Sequence, residues 1–328
     1  MKKIACVGYH ATGAGVIDDL FREFDNVAQG MYEVETRLLQ DPDGISDLEY
    51  YLVDNPHRLN SGYALKRYLK YAGNTARSYR HIFGKRWMEL AEEYVNALAK
   101  FTFPGYWHGD IWLLNSFWRN VHTFRRGLAK LSPACIRKPS YYNYFPWLNS
   151  YHVDLTREQF LTITQDYMEK LCREVNPENR EFVVLDQLIS PANPARYARY
   201  VRDLKIIIVD RDPRDVYIHQ LNHKDHVLPV DPEQFCIVYR DNRKTVSQLP
   251  EEVCLSVTFE QMIYHYDEYV KRVLDFVGIS EEHHVRKKQF FDPDRSIRNT
   301  KLWEKTDKYR EAVAIIEKEL PDMLHQFE

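Results

Sequence analysis

Gly8-Tyr9-His10-Ala11-Thr12-Gly13-Ala14-Gly15 follows an apolar run near the start of the chain. Its G-x4-G spacing suits a loop whose backbone N–H groups cradle a phosphate at the entry to a helix. Two side chains that complete many such loops are missing. Ala14 stands where a lysine would grip a γ-phosphate, and Gly15 stands where a Ser or Thr would hold magnesium. The chemistry this predicts is phosphate binding by Gly8, Thr12, Gly13, Ala14 and Gly15 without a metal. A plain glycine turn after a first strand is the alternative reading. A second charged group, Arg211-Asp212-Pro213-Arg214-Asp215, closes the apolar run at 205–209 and leads into Val216-Tyr217-Ile218-His219. Asp-Pro is a common helix start, so surface ion pairs around a capped helix are the alternative there.

These residues need elements to position them. The run KIACVGY at 3–9 reads as a buried parallel strand, and VIDDLFREF after the glycine loop has helical spacing. Residues 31–39 alternate, with Glu33, Glu35 and Arg37 on one face, and predict a second strand. DPDG at 41–44 is a turn signal. From about 45 to 175 the pattern is mostly helical and rich in aromatic residues, with loops at Pro104-Gly105 and 138–147. Strand character returns at 182–185, 205–209 and 253–257, with a short helix expected within 190–204. Helices follow at 259–277 and 304–325. Strand, helix, strand implies parallel crossovers. The expected fold is a single α/β domain over residues 1–328. It has a P-loop-type parallel β-sheet flanked by helices, and a large aromatic-rich helical insertion at about 50–175.

Four features in this order resemble the sulfotransferase family that uses 3′-phosphoadenosine-5′-phosphosulfate (PAPS). They are the loop at 8–15, the segment KIIIVDRDPRDVYIH at 205–219, the segment VTFEQMIYHYDEYVKRVLDFVGIS at 257–280, and RSIRNTKLWEK at 295–305. The match spans roughly residues 1–45 and 180–310. It is best to bacterial members that modify glycans or small molecules. The resemblance implies transfer of a sulfuryl group from PAPS to an acceptor hydroxyl, with adenosine 3′,5′-bisphosphate as product and no metal. It implies that Arg211 holds the donor's 3′-phosphate, with His219 at the position of the family's serine. Arg298 and Lys301 become candidate contacts to the same phosphate. Family members carry a first-loop cation where this chain has Ala11, so His10, Arg37 or a lysine of the insertion is the candidate replacement. Glu33 is the implied base for the acceptor hydroxyl, with Glu35 and Asp186 as alternatives and Gln187 as a polar contact. A solvated strand face is the alternative reading of Glu33 and Glu35.

Composition narrows the classes further. A net charge of −3 gives no global positive field, so no nucleic-acid partner is expected. No apolar run reaches the roughly 18–20 residues of a membrane span. The five apolar residues near the start are too few for a signal peptide, which predicts a cytoplasmic protein. Five cysteines with no CxxC pair argue against a disulfide framework or a zinc site. Tyr106, Trp107, Trp112, Trp118, Tyr141, Tyr142, Tyr144 and Trp147 could stack on a glycan, sterol-like or phenolic acceptor, or serve as core. Arg125-Arg126 and Arg137-Lys138 could bind an acidic glycan or be solvated. His108 reads as a packed residue. Two further functions stay in view. One is a non-catalytic 3′-phosphonucleotide-binding module, to which Ala11 and His219 point. The other is a small-molecule kinase, against which Ala14 and Gly15 count.

Overall fold

The structure is a computed structural model that describes residues 1–30, 34–57, 59–105, 107–131, 149–224, 227–244 and 249–327, without the side chains of 108 and 125–131. The chain divides into two compact units, Met1–Arg37 with Cys172–Glu328, and Leu38–Leu171. The sequence had suggested an insertion at about 50–175; the second unit begins earlier, at Leu38.

The first unit is built on a five-stranded sheet. Its strands are β1 (Lys2–Gly8), β2 (Val27–Gln29), β5 (Phe182–Asp186), β6 (Leu204–Asp210) and β7 (Cys254–Thr258). Their spatial order is β2-β5-β1-β6-β7 and every pairing is parallel. Parallel strands need crossovers that cover both faces, which explains why β1 reads as a continuous apolar run. Ile4 and Cys6 join Val184, Ile207, Val209 and Val257 in a core closed by Ile17, Leu20, Phe21, Met262, Val273 and Leu274. The alternate residues Ala5, Val7, Ile206 and Ile208 are buried as well. A satellite core joins the helices Pro213–Asn222, Pro232–Asp241 and Arg310–Glu319 through Val216, Tyr217, Phe235, Tyr239, Val313 and Ile316.

Three expected elements differ. The second strand is Val27–Gln29, and residues 34–37 form no strand. There the chain still follows the β5 edge, since Thr36 N donates to Asp186 O at 2.8 Å. The helix expected over 259–277 breaks at His265 into Phe259–Tyr264 and Tyr266–Val277. The last helix is confined to Arg310–Glu319.

The second unit packs the helices Asn60–Phe83 and Trp87–Leu98 around a tight connection in which Gly84 takes a left-handed φ of 70°. Tyrosines build its core. Tyr68 donates to the Tyr167 hydroxyl at 2.9 Å, Tyr94 bonds Thr164 at 2.8 Å, and the Tyr94 and Tyr167 rings stack at 4.3 Å. Part of the aromatic excess is therefore packing, while Trp112 is exposed and Trp107 and Trp118 are half-buried. A two-stranded antiparallel sheet, β3 (Phe101–Pro104) with β4 (Asn149–His152), was not expected from the sequence. No described helix is long and apolar enough to cross a membrane.

Candidate functional site

Renumbered along the first unit, its strands run 2-3-1-4-5, so chain connections leave the first strand in opposite directions. Ligands of open α/β sheets bind at the carboxyl ends of strands where that reversal occurs. The glycine loop, Asp186 and Arg211 all sit there.

The loop is shaped by sterics rather than by charge. A Cβ on Gly8 would lie 2.5 Å from Thr12 Oγ1 and 2.8 Å from the Ala14 Cβ. Thr12 is fully buried, and its hydroxyl donates to Tyr9 O at 2.8 Å. Gly13 has φ +82°, and a Cβ there would strike the Phe259 ring at 2.6 Å. Ala11 also has a positive φ, 60°. Around Gly15 there is open space. No described backbone carbonyl accepts the N–H of Gly13, Ala14 or Gly15, as expected for a loop opening into the Gly15–Phe21 helix.

Arg211 directly follows β6 and is 4% exposed. Its Nη1 donates to Ala11 O at 2.9 Å, and its Nη2 donates to Asn299 O. One guanidinium thus ties the glycine loop to the basic segment at 295–305. Its Nε is buried with no partner among the described residues. Burial lowers its pKa from the ordinary arginine value, against the opposing pull of Asp215 and Glu260. It remains a cation.

Asp215 anchors the basic segment from below. It accepts from Lys301 N at 3.0 Å and Leu302 N at 2.6 Å. Burial pushes its carboxyl up to about 6, with Arg211 pulling the other way. Lys305 Nζ closes the turn by donating to Arg298 O and Thr300 O. Lys301 has its Nζ 4.7 Å over the Phe327 ring, and the Arg298 side chain is exposed. His219 lies on the last turn of its helix, half-buried and stacked on His223 at 4.2 Å. Arg214 is occupied elsewhere. It pairs with Asp212 and Glu317 and lies 3.7 Å over the Trp303 ring.

Among the carboxylates, Asp186 is the most perturbed of those read as a base. Burial, then Asp18 and Glu35, push its pKa up to about 7, and the Gln187 N–H opposes them. Its Oδ1 is buried without a described partner. Gln187, with φ +52°, turns its Oε1 to within 3.5 Å of Gly8 N. Glu35 is exposed and paired with Arg37 at 3.4 Å. His10 is half-buried beside Tyr9. Glu33 lies outside the described residues, as do Tyr106, the stretch 132–148 with Arg137, Lys138 and its aromatics, and the side chains of His108, Arg125 and Arg126.

Sequence reasoning missed two members of this region. Arg243 grips Asp210 through both oxygens, at 2.6 and 2.7 Å, and stacks between Tyr9 and Tyr239. Nothing local marks it, because its partners are distant in sequence. Glu260 is fully buried, accepts from Asp212 N at 3.0 Å, and burial pushes it up to about 7. The Phe-Glu pair in VTFEQM was the available signal.

Neither a protein-family model nor a curated protein matches the sequence. Among solved structures, the chain is similar to the sulfotransferase domain from the curacin biosynthetic pathway at 11% identity and a TM-score of 0.39, covering 100% of this chain and 93% of that one. It is similar to the sulfotransferase domain of the Synechococcus PCC 7002 olefin synthase at 11% identity and 0.41, covering 97% and 94%. It is also similar to retinol dehydratase in complex with androsterone and inactive cofactor PAP, at 12% and 0.32, covering 100% and 83%.

Proposed function

We propose that the chain is a sulfotransferase that takes PAPS as donor and a small-molecule or glycan hydroxyl as acceptor, without a metal. One observation carries this reading. Arg211 joins a glycine loop lacking lysine at 14 and a hydroxyl at 15 to the basic segment at 295–305, at the carboxyl edge of the sheet. The residues present fit such a nucleotide. The N–H groups of Gly13, Ala14 and Gly15 and the open space at Gly15 suit the 5′-phosphosulfate, and the Arg211 guanidinium, with an unpartnered Nε, suits the 3′-phosphate. Lys301 and Arg298 would add charge beside it, and His219 a further donor. Bound there, the donor supplies a sulfuryl group and leaves as adenosine 3′,5′-bisphosphate.

Asp186 supports the part of base better than Glu35. Its oxygen is unpartnered and its raised pKa matches proton uptake near neutral pH, whereas Glu35 is held by Arg37. Glu33 stays a candidate from the sequence. His10 stays the sequence candidate for offsetting charge on the leaving phosphate. The four described cysteines are free thiols, which suits a cytoplasmic setting.

The second reading is a non-catalytic 3′-phosphonucleotide-binding module, favoured by Ala11 in place of a cation and by the two Arg211 nitrogens already bonded to carbonyls. Isothermal titration with adenosine 3′,5′-bisphosphate, and AMP as control, tests the shared site. Binding that AMP cannot match is expected, and equal binding of the two would end both readings. Sulfate transfer from PAPS across an acceptor panel then separates enzyme from module.

A further inference from the structure

The chain's net charge of −3 conceals a strong asymmetry. Residues 55–131 hold thirteen Lys and Arg against four Asp and Glu, and 55–88 hold no carboxylate at all. Both stretches lie within the helical unit. On the helix Asn60–Phe83, Lys66, Lys70, Arg77 and His81 recur at spacings of four, seven and four, which puts them on one face with Arg80 beside them. Lys66 is paired with Asp110, but Lys70, Arg77, Arg80 and, past the helix, Lys85 are exposed. No carboxylate among the described residues pairs with Arg77, Arg80 or Lys85. The helix dipole accounts for cations in the last turn, Arg80 and His81, though not for those upstream.

Beside this stripe the unit exposes aromatic rings. Among the described residues every exposed Phe or Trp falls within 101–124: Phe101, Phe103, Trp112, Phe117 and Phe124, from 44% to 68% exposed. Lys70 Nζ donates to Trp112 O at 3.4 Å, so the two sets adjoin. On the helix Ser116–Leu131, Phe117, Val121 and Phe124 follow at spacings of four and three, and Leu128 keeps the register. The same helix carries four Arg and Lys and no Asp or Glu, with Arg119 nearly opposite Phe117. A helix of a globular protein ordinarily turns such an apolar stripe to the core, yet Phe117 and Phe124 face solvent. Unpaired cations attract phosphate, and exposed phenylalanine rings gain only by leaving water. An anionic lipid surface offers both at once, phosphate headgroups over hydrocarbon. A polyanionic chain offers the charge and leaves the rings wet.

We propose that this surface of the helical unit docks reversibly on an anionic phospholipid bilayer, with Phe117 and Phe124 entering the headgroup layer and Arg77, Arg80 and Lys85 meeting lipid phosphate. Such docking goes beyond sulfuryl transfer and holds with or without it. The test is sedimentation of the full chain with vesicles of phosphatidylcholine alone, or with about one third phosphatidylglycerol. Binding is expected on the anionic vesicles only, and it should weaken as salt rises. Arg77→Ala and Arg80→Ala should each cost roughly fivefold in affinity. Replacing Phe117→Ala and Phe124→Ala together should cost at least about tenfold, which a purely electrostatic contact would not show. Circular dichroism checks the fold, and the single replacements at these exposed positions decide if the double variant does not fold. No binding to the anionic vesicles, equal binding to both kinds, or indifference to the arginine replacements would each overturn the proposal. Indifference to the phenylalanine replacements would overturn it too, by marking a surface for any polyanion.

Discussion

Arg211 and Arg214 lie three residues apart and do different work. Arg211 reaches across to two loops, while Arg214 is spent on Asp212, Glu317 and the face of Trp303. Arg211→Ala should weaken adenosine 3′,5′-bisphosphate by roughly 10- to 100-fold, the range for a charge-assisted contact. Arg214→Ala should leave that affinity in place and cost about 3 kcal/mol in urea unfolding, because Asp212 stays buried with its partner cation gone. Titration and denaturation of both variants check the split, and a reversal would exchange their roles. Asp186 makes a separate claim. With a carboxyl at about 7, transfer should rise with pH through that value, since only the ionised form takes a proton. Asp186→Asn should cut turnover by roughly 10²- to 10⁴-fold with nucleotide affinity unchanged. Retained turnover would move the base to Glu33 or Glu35.

At the scale of elements, the glycine loop sorts its own positions. Gly13→Ala forces a side chain into a left-handed backbone and onto Phe259, and should destabilise by about 1–3 kcal/mol. Gly15→Ala meets nothing and sits at a helix start, so it should be neutral or gain up to about 1 kcal/mol. Thermal melts of the two variants side by side measure the contrast. The loop was legible because strand, glycine turn and helix are local patterns with different periods. So were β5 and β6, whose apolar runs reflect burial on both faces. The second strand was not. Three residues, Val27–Gln29, are too few to show a period, while the alternation over 31–39 looks like a strand without pairing as one over its described part. Of the site, Arg211 and Asp186 could be read from strand ends. Arg243 could not, because its contact with Asp210 spans 33 residues and is made only by the folded chain.

For the whole molecule, four buried or half-buried carboxyls among the described residues share one direction. Asp18 and Asp215 are pushed up to about 6, and Asp186 and Glu260 to about 7, each chiefly by burial. Their folded values lie above the unfolded ones, so between about 4 and 7 the native state holds protons that the unfolded chain has lost. These groups therefore take stability away as pH rises through that window. The melting temperature should fall from pH 5 to pH 8, and Glu260→Gln should flatten the slope. A melting temperature that climbs across the window would show that other groups dominate. The sheet also sets a timetable for synthesis. Lys3 in β1 is paired with Val183 in β5, the earlier-made of its two neighbours, so β1 waits for a partner 180 residues behind it. At about 5–20 residues per second that wait is roughly 10 to 40 s. Through it, KIACV travels as a bare apolar segment, open to wrong pairings until its neighbour in the sheet is made.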